Sequence, residues 1–291
     1  MGQSHQLKSV LVWRRIYRSQ NSELLPDQFS EIDLTRLSMS ANPPKLGIQV
    51  EIYPRSKTEG LNLIKKFGGK LLNLPPKTWW LPQEPRSEPL SIGNKLLIVA
   101  TKEQKKYWQT KYPSRKLLII PASLAFGTGE HATTEMCLKQ IAQVNDWPSK
   151  SFLDIGTGTG ILAITARVLG SFHVDAFDND KRSIPVAREN EEMNFPIIES
   201  QISKPVSWKI SGIEKLSKKS SYHVIVANLY SELLIKHAKQ IAQALKPEGQ
   251  LFLSGIFEDQ IEAVKNAFFK QKLHLIVQKR KGRWWCIHFL N

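Results

Sequence analysis

From Ser151 onward the chain alternates short apolar runs with longer amphipathic ones, and this rhythm constrains the fold more than any other feature. Runs at 151–155, 172–177, 205–210, 222–227, 250–254 and 272–278 have the length and content of strands, whereas 161–169, 181–193, 231–245 and 258–269 carry helical periodicity. Parallel strands need a crossover between them, and a helix is the usual one, so this order predicts a parallel, doubly wound sheet. Lys281 and Gly282 supply a hairpin turn into a last strand over 284–289, which must run against the others. The expected class is α/β: a Rossmann-like sheet whose antiparallel final strand forms an edge.

The residues before that sheet read differently. Strands at 7–17 and 46–53, a helix over 57–67 closed by Gly68 and Gly69, and an apolar stretch at 70–74 fit a small α+β domain over 1–78. Prolines and the pair Trp79 and Trp80 mark 79–120 as a connector with strands of its own at 95–100 and 116–120, and 121–291 is the expected catalytic domain. The front is also basic. Residues 1–120 hold 20 Lys and Arg against 9 Asp and Glu, whereas the remainder holds 21 against 17. A run of Lys102, Lys105, Lys106, Lys111, Arg115 and Lys116, interleaved with Tyr107, Trp108 and Tyr112, suits contact with RNA, and it equally suits a solvated helix with one apolar face. Cys137 and Cys286 lack metal-ligand spacing and are expected as buried thiols of a cytoplasmic protein; no metal site is expected. No signal peptide and no apolar run of membrane-spanning length is visible.

Four segments carry chemistry. Asp154-Ile155-Gly156-Thr157-Gly158-Thr159-Gly160 lies where the first strand of the sheet meets its first helix. Glycines at alternate positions let the backbone turn sharply and approach a ligand, which in such sheets binds beyond the carboxyl ends of the strands. The spacing is GxGxG and not the GxGxxG of dinucleotide binders, although a glycine turn without a ligand would look the same. Asp178, at the end of the second strand, is placed to accept hydrogen bonds from a ribose; Asp175 falls inside that strand and Asp180 suits a helix cap. Asn228 follows the strand at 222–227 and offers a carbonyl that can hold an amine N–H and aim its lone pair, or serves as a turn residue. The fourth segment, 126–134, combines two glycines with three threonines ahead of a helix at 135–144, as a loop covering a ligand would; Thr133 or Thr134 is expected to cap that helix. His131 there has no partner carboxylate in sequence and reads as a loop residue before a base.

Taken in order, AFGTGEHATT, DIGTGTG, VIVANLYSEL and LSGIFEDQ resemble the ribosomal protein L11 methyltransferase family, from about Trp79 to the last strand. The resemblance implies a class I methyltransferase domain behind a small substrate-recognition domain. It implies transfer of methyl groups from S-adenosylmethionine to lysine side chains or an N-terminal α-amine of a protein, ribosomal protein L11. Carried over by motif, Phe126, Gly127, Thr128, Thr134, Asp154, Gly156, Gly158, Gly160, Asp178 and Asn228 would contact the cofactor, and Asn228 would also face the amine. Rival expectations are an RNA methyltransferase, a non-catalytic ribosome- or RNA-binding protein on the same fold and, more remotely, a nicotinamide dehydrogenase.

Overall fold

A computed structural model describes residues 10–17, 37–41, 48–54, 56–74, 88–121, 131–199, 205–216 and 221–291. The chain divides into two compact units, residues 1–81 and 82–291.

In the first unit, β1 (Val10–Tyr17), β2 (Leu37–Ala41), β3 (Ile48–Ile52), α1 (Lys57–Phe67) and β4 (Lys70–Leu74) follow in order. The strands form an antiparallel sheet in the order β2-β3-β1-β4. Ser56 caps α1 by accepting the Glu59 N–H, and Gly68 ends it at φ 68°, a conformation that favours glycine. Trp13, Val50, Ile52 and Leu63 form the core, and the Trp13 indole N–H donates to Gly68 O at 2.7 Å. β2 is five residues long and was not among the strands expected from the sequence.

The second unit begins with β5 (Leu90–Ile92), β6 (Leu96–Val99), α2 (Lys102–Lys111) and β7 (Lys116–Ile119), which form a small sheet in the order β5-β6-β7. The basic run is the helix α2. Trp108 is buried with Leu97, Val99, Leu117 and Ile119, and Tyr112 stacks on it, so two of the three interleaved aromatics belong to packing. Tyr107 alone of the three is exposed, at 63%. The Lys116 ammonium donates to Val168 O and is also unavailable to a partner.

The remaining elements are α3 (Ala132–Gln143), β8 (Ser151–Ile155), α4 (Ile161–Leu169), β9 (His173–Asp178), α5 (Ser183–Glu199), β10 (Ser207–Ile210), β11 (Tyr222–Asn228), α6 (Ser231–Lys236), α7 (Ala238–Ala244), β12 (Leu245–Phe257), α8 (Ile261–Phe269), β13 (His274–Lys281) and β14 (Trp284–Leu290). Seven strands pair in the order β10-β9-β8-β11-β12-β14-β13. All neighbouring pairs are parallel except those of β14, which runs against both β12 and β13. The reversed strand therefore lies inside the sheet, and β13 is the edge. Its hairpin register, Lys281 opposite Trp284, folds the last strand back between its predecessors.

Alternate side chains of the central strands serve opposite faces. Phe152, Val224, Val226 and Phe252 pack with Leu138, Ile141, Ile164 and Ala187 of α3, α4 and α5. Leu153, Ile225, Leu251 and Leu253 pack with Leu234, Ile241, Val264 and Phe268 of α6, α7 and α8. Truncating one of these large side chains to alanine costs about 2–5 kcal/mol, so the sheet is a stiff platform for the loops at its carboxyl end. The expected helix over 231–245 is broken at His237 into α6 and α7, and the expected turn at 246–249 is carried within β12, with Glu248 at φ 58°. Cys137 and Cys286 are both buried and free; a hydrogen bond between them, together with burial, pushes the Cys137 thiol up.

Candidate active site at the carboxyl end of the sheet

β8 delivers its chain into the glycine loop, and the neighbouring strand anchors it. Gly156 N–H and Thr157 N–H donate to Phe177 O at 2.9 and 3.1 Å. Gly156, Gly158 and Gly160 have φ of 74°, 54° and 80°, which other residues rarely adopt. A Cβ on Gly156 would lie 2.5 Å from Leu229 Cδ2, and one on Gly160 would lie 2.7 Å from Trp208 and 2.8 Å from the Ala187 side chain. Gly160 thus serves the packing of α4 on α5 as much as any ligand.

Asp154 and Asp178 flank this loop. Asp154 is fully buried, and its Oδ2 accepts from Thr157 Oγ1 at 2.6 Å and Ala163 N at 3.2 Å. Its Oδ1 is buried with no partner among the described residues. Burial pushes its carboxyl up to about 7, opposed by those two hydrogen bonds and reinforced by the charge of Asp178. Asp178 accepts Gly158 N–H on Oδ2 and Asp180 N–H on Oδ1, each at 2.9 Å, which fixes the carboxylate against the loop. Burial also raises its pKa, more than these hydrogen bonds lower it. Ser183 adds a side-chain hydrogen bond to the same carboxylate. Asp180 accepts Arg182 N–H just before α5, as a capping residue does, and also pairs with the Arg182 guanidinium.

Asn228 closes the other side. Its amide Nδ2 donates to Thr134 Oγ1 at 3.3 Å, and its buried Oδ1 has no partner among the described residues. Thr134, itself buried, is in the first turn of α3. The cap of that helix is His131 and neither threonine: His131 Nδ1 accepts Thr133 N–H and lies 2.7 Å from Thr133 Oγ1. The threonines are instead turned inward, Thr134 to the amide. Burial lowers the His131 pKa. Phe126, Gly127 and Thr128 lie outside the described residues.

Two residues escaped the sequence reading. Leu229 follows Asn228, and its N–H donates to Ser254 O at 3.1 Å. Its side chain meets Gly156, while its backbone meets Gly255, where a Cβ would lie 2.4 Å from Leu229 O at φ 84°. The glycine in Leu253-Ser254-Gly255-Ile256 was the available signal. Ser231, at the start of α6, adds a buried hydroxyl without a partner.

These residues fit a donor-rich, positively charged nucleoside. Buried oxygens on Asp154, Asn228 and Ser231 have no hydrogen-bond partner among the described residues, and two buried carboxyls favour positive charge.

The sequence profile of the ribosomal protein L11 methyltransferase family matches residues 51–291. A ribosomal protein L11 methyltransferase of Trichlorobacter lovleyi is 29% identical across 90% of this chain and 86% of its own length. That of Pelobacter propionicus is 35% identical over 68% of this chain and 61% of its own. The crystal structure of the ribosomal protein L11 methylase from Lactobacillus delbrueckii subsp. bulgaricus superposes with a TM-score of 0.59 at 25% identity, covering 69% of this chain and 96% of that one.

Proposed function

The chain belongs to the ribosomal protein L11 methyltransferase family, class I enzymes that use S-adenosylmethionine, and from that premise we propose that it methylates amino groups of ribosomal protein L11. The observation that carries this reading is the Asn228 amide. Its NH₂ is committed to Thr134, and its carbonyl is left open beside the glycine loop.

S-adenosylmethionine supplies a methyl group on a sulfonium, which a neutral amine attacks in line. Asn228 Oδ1 accepts an amine N–H and aims the lone pair, and Thr134 keeps the amide from turning over. Asp178 would accept ribose hydroxyls, and the buried Asp154 would favour positive charge nearby. Burial disfavours the ammonium form of an incoming lysine, so the proton leaves to water before transfer and no dedicated base is needed. The proposed ligands are Phe126, Gly127, Thr128, Thr134, Asp154, Gly156, Gly158, Gly160, Asp178 and Asn228.

Residues 1–78 are proposed as the substrate-recognition domain, 79–120 as the connector and 121–291 as the methyltransferase domain, working in the cytoplasm where the substrate is made. A fragment starting at Trp79 should keep cofactor affinity and lose efficiency on the intact protein. The main test incubates the enzyme with methyl-labelled cofactor and either ribosomal protein L11 or ribosomal RNA. Label in the protein, mapped to an amine by mass spectrometry, is the expected result. Label in RNA would favour the rival substrate, for which the exposed Lys102, Lys106 and Tyr107 of α2 offer a surface. Label in neither sinks the reading.

A further inference from the structure

The β13–β14 hairpin ends at the same edge of the sheet as the site. Asn228 pairs with Ser254 on β12, and Phe257, three residues further along, pairs with Trp284 at the start of β14. The turn at Gly282 and Arg283 therefore projects beyond the carboxyl end of β12, where ligands of such sheets bind.

A continuous stack runs from this turn back to the site. The Arg283 guanidinium lies 4.6 Å over the Phe257 ring. Phe257 stacks on Trp284 at 4.1 Å and 27°, and Trp284 meets the His131 ring at 4.8 Å and 72°. His131 caps α3, whose Thr134 holds the Asn228 amide. Two ion pairs brace the turn: Lys281 with Glu135 of α3, and Arg280 with Glu258 at 2.7 Å. Of the three cations at the tip, Arg280 and Lys281 are thus neutralised. Arg283 is exposed and has no carboxylate partner among the described residues.

A guanidinium laid on a ring is restrained by its face, while its N–H donors point out in its own plane and remain free. Such a group matches a carboxylate with two parallel hydrogen bonds, and little side-chain freedom is left to lose on binding. We infer that Arg283 is a docking residue for the protein substrate, pairing with an aspartate or glutamate close to the target amine, on an arm held in place by the Phe257–Trp284–His131 stack. The inference rests on the proposed reading that the amine is presented at Asn228, and it adds a sequence preference to it: acidic residues beside the methylated amine.

The test uses the full-length enzyme with S-adenosylhomocysteine bound, and two peptides that differ only in whether glutamates or lysines flank one target lysine. Calorimetry should show the wild type binding the acidic peptide about tenfold more tightly, the scale of 1.4 kcal/mol. R283E should invert that order, R283K should keep it in weakened form, and all three should bind S-adenosylhomocysteine equally. On ribosomal protein L11, R283E should raise KM about tenfold with kcat within twofold. A wild type that does not discriminate, or an R283E enzyme that discriminates as the wild type does, overturns the inference. So does an RNA oligonucleotide whose binding falls in R283E while peptide binding holds. If the wild type prefers the acidic peptide yet transfers no methyl group to ribosomal protein L11, the functional reading fails and the docking role of Arg283 stands.

Discussion

Asp154 and Asp175 are carboxylates on adjacent strands, one residue apart in register, yet their surroundings oppose each other. Register pairs Asp175 with Leu153 and Asp154 with Ala176, so the two side chains leave opposite faces of the sheet. Burial raises both. At Asp175 that effect is overcome by hydrogen bonds from Tyr222, Ser207 and His173, and its pKa falls below the usual value. At Asp154 burial wins. The contrast extends to whole regions. Near the strand starts, Ser151 N–H donates to His223 Nδ1 at 3.0 Å, the Ser151 hydroxyl donates to Ser221 O at 2.9 Å, and Tyr222 Oη donates to Asp175 at 2.5 Å. Near the strand ends, oxygens on Asp154, Asn228 and Ser231 are left open. An unpartnered buried polar group costs about 1–3 kcal/mol. The strand-start groups named here are satisfied by neighbouring side chains, whereas those at the strand ends lie where the cofactor is proposed to bind.

The largest test of this division is Asn228→Ala. Turnover should fall about a hundredfold, the scale of a misplaced reacting group, with a smaller loss of cofactor affinity. Single-turnover kinetics at saturating cofactor check it; full turnover would reduce Asn228 to a turn residue. Asp178→Ala should weaken cofactor binding by about 1.5–3 kcal/mol, the scale for hydrogen bonds to a charged group. Calorimetry on a variant with unchanged circular dichroism reads it, and unchanged affinity would remove Asp178 as the ribose ligand.

Asp154→Asn probes the open oxygen through pH. A carboxyl whose folded pKa is raised binds its proton in the folded state between about 4 and 7, where the unfolded chain has released it. Its contribution is therefore present at low pH and lost as pH rises through about 7. Asparagine has no such loss, so denaturation midpoints should move in its favour as pH climbs from 5 to 7, by at most about 1.4 kcal/mol per pH unit. A constant difference between variant and wild type would show that Asp154 titrates normally. The smallest effect on function belongs to the strand-start end. Tyr222→Phe should cost about 1.5–3 kcal/mol of stability, one hydrogen bond to a charged group, and leave cofactor affinity and turnover unchanged. A loss of activity there would break the comparison.

The parts of this architecture written in local pattern were legible. The glycine loop, Asp178 and Asn228 sit at strand ends that short apolar runs mark plainly, and α1, β8 and α4 fall at their expected bounds. What escaped depends mostly on residues distant in sequence. Trp108 is drawn inward by β6 and β7, so an aromatic among lysines is core. His131 takes the helix cap because the helix already begins at Ala132, which leaves Thr133 and Thr134 inside its first turn. The insertion of β14 between β12 and β13 is a matter of register, and no single segment carries it.

Leu229 shows what such distant contacts impose. Its side chain rests on Gly156 and its carbonyl on Gly255, with no room for a methyl group on either side. It acts as a spacer of set thickness between the loop proposed to hold one substrate and the strand that positions Asn228 for the other. A shift of the loop on one side would press on Leu229 beside the amide, so whatever effect one substrate has on the affinity of the other should be returned by the same factor. Changes at 156, 229 and 255 should accordingly fail to add, because all three alter one dimension of the same gap.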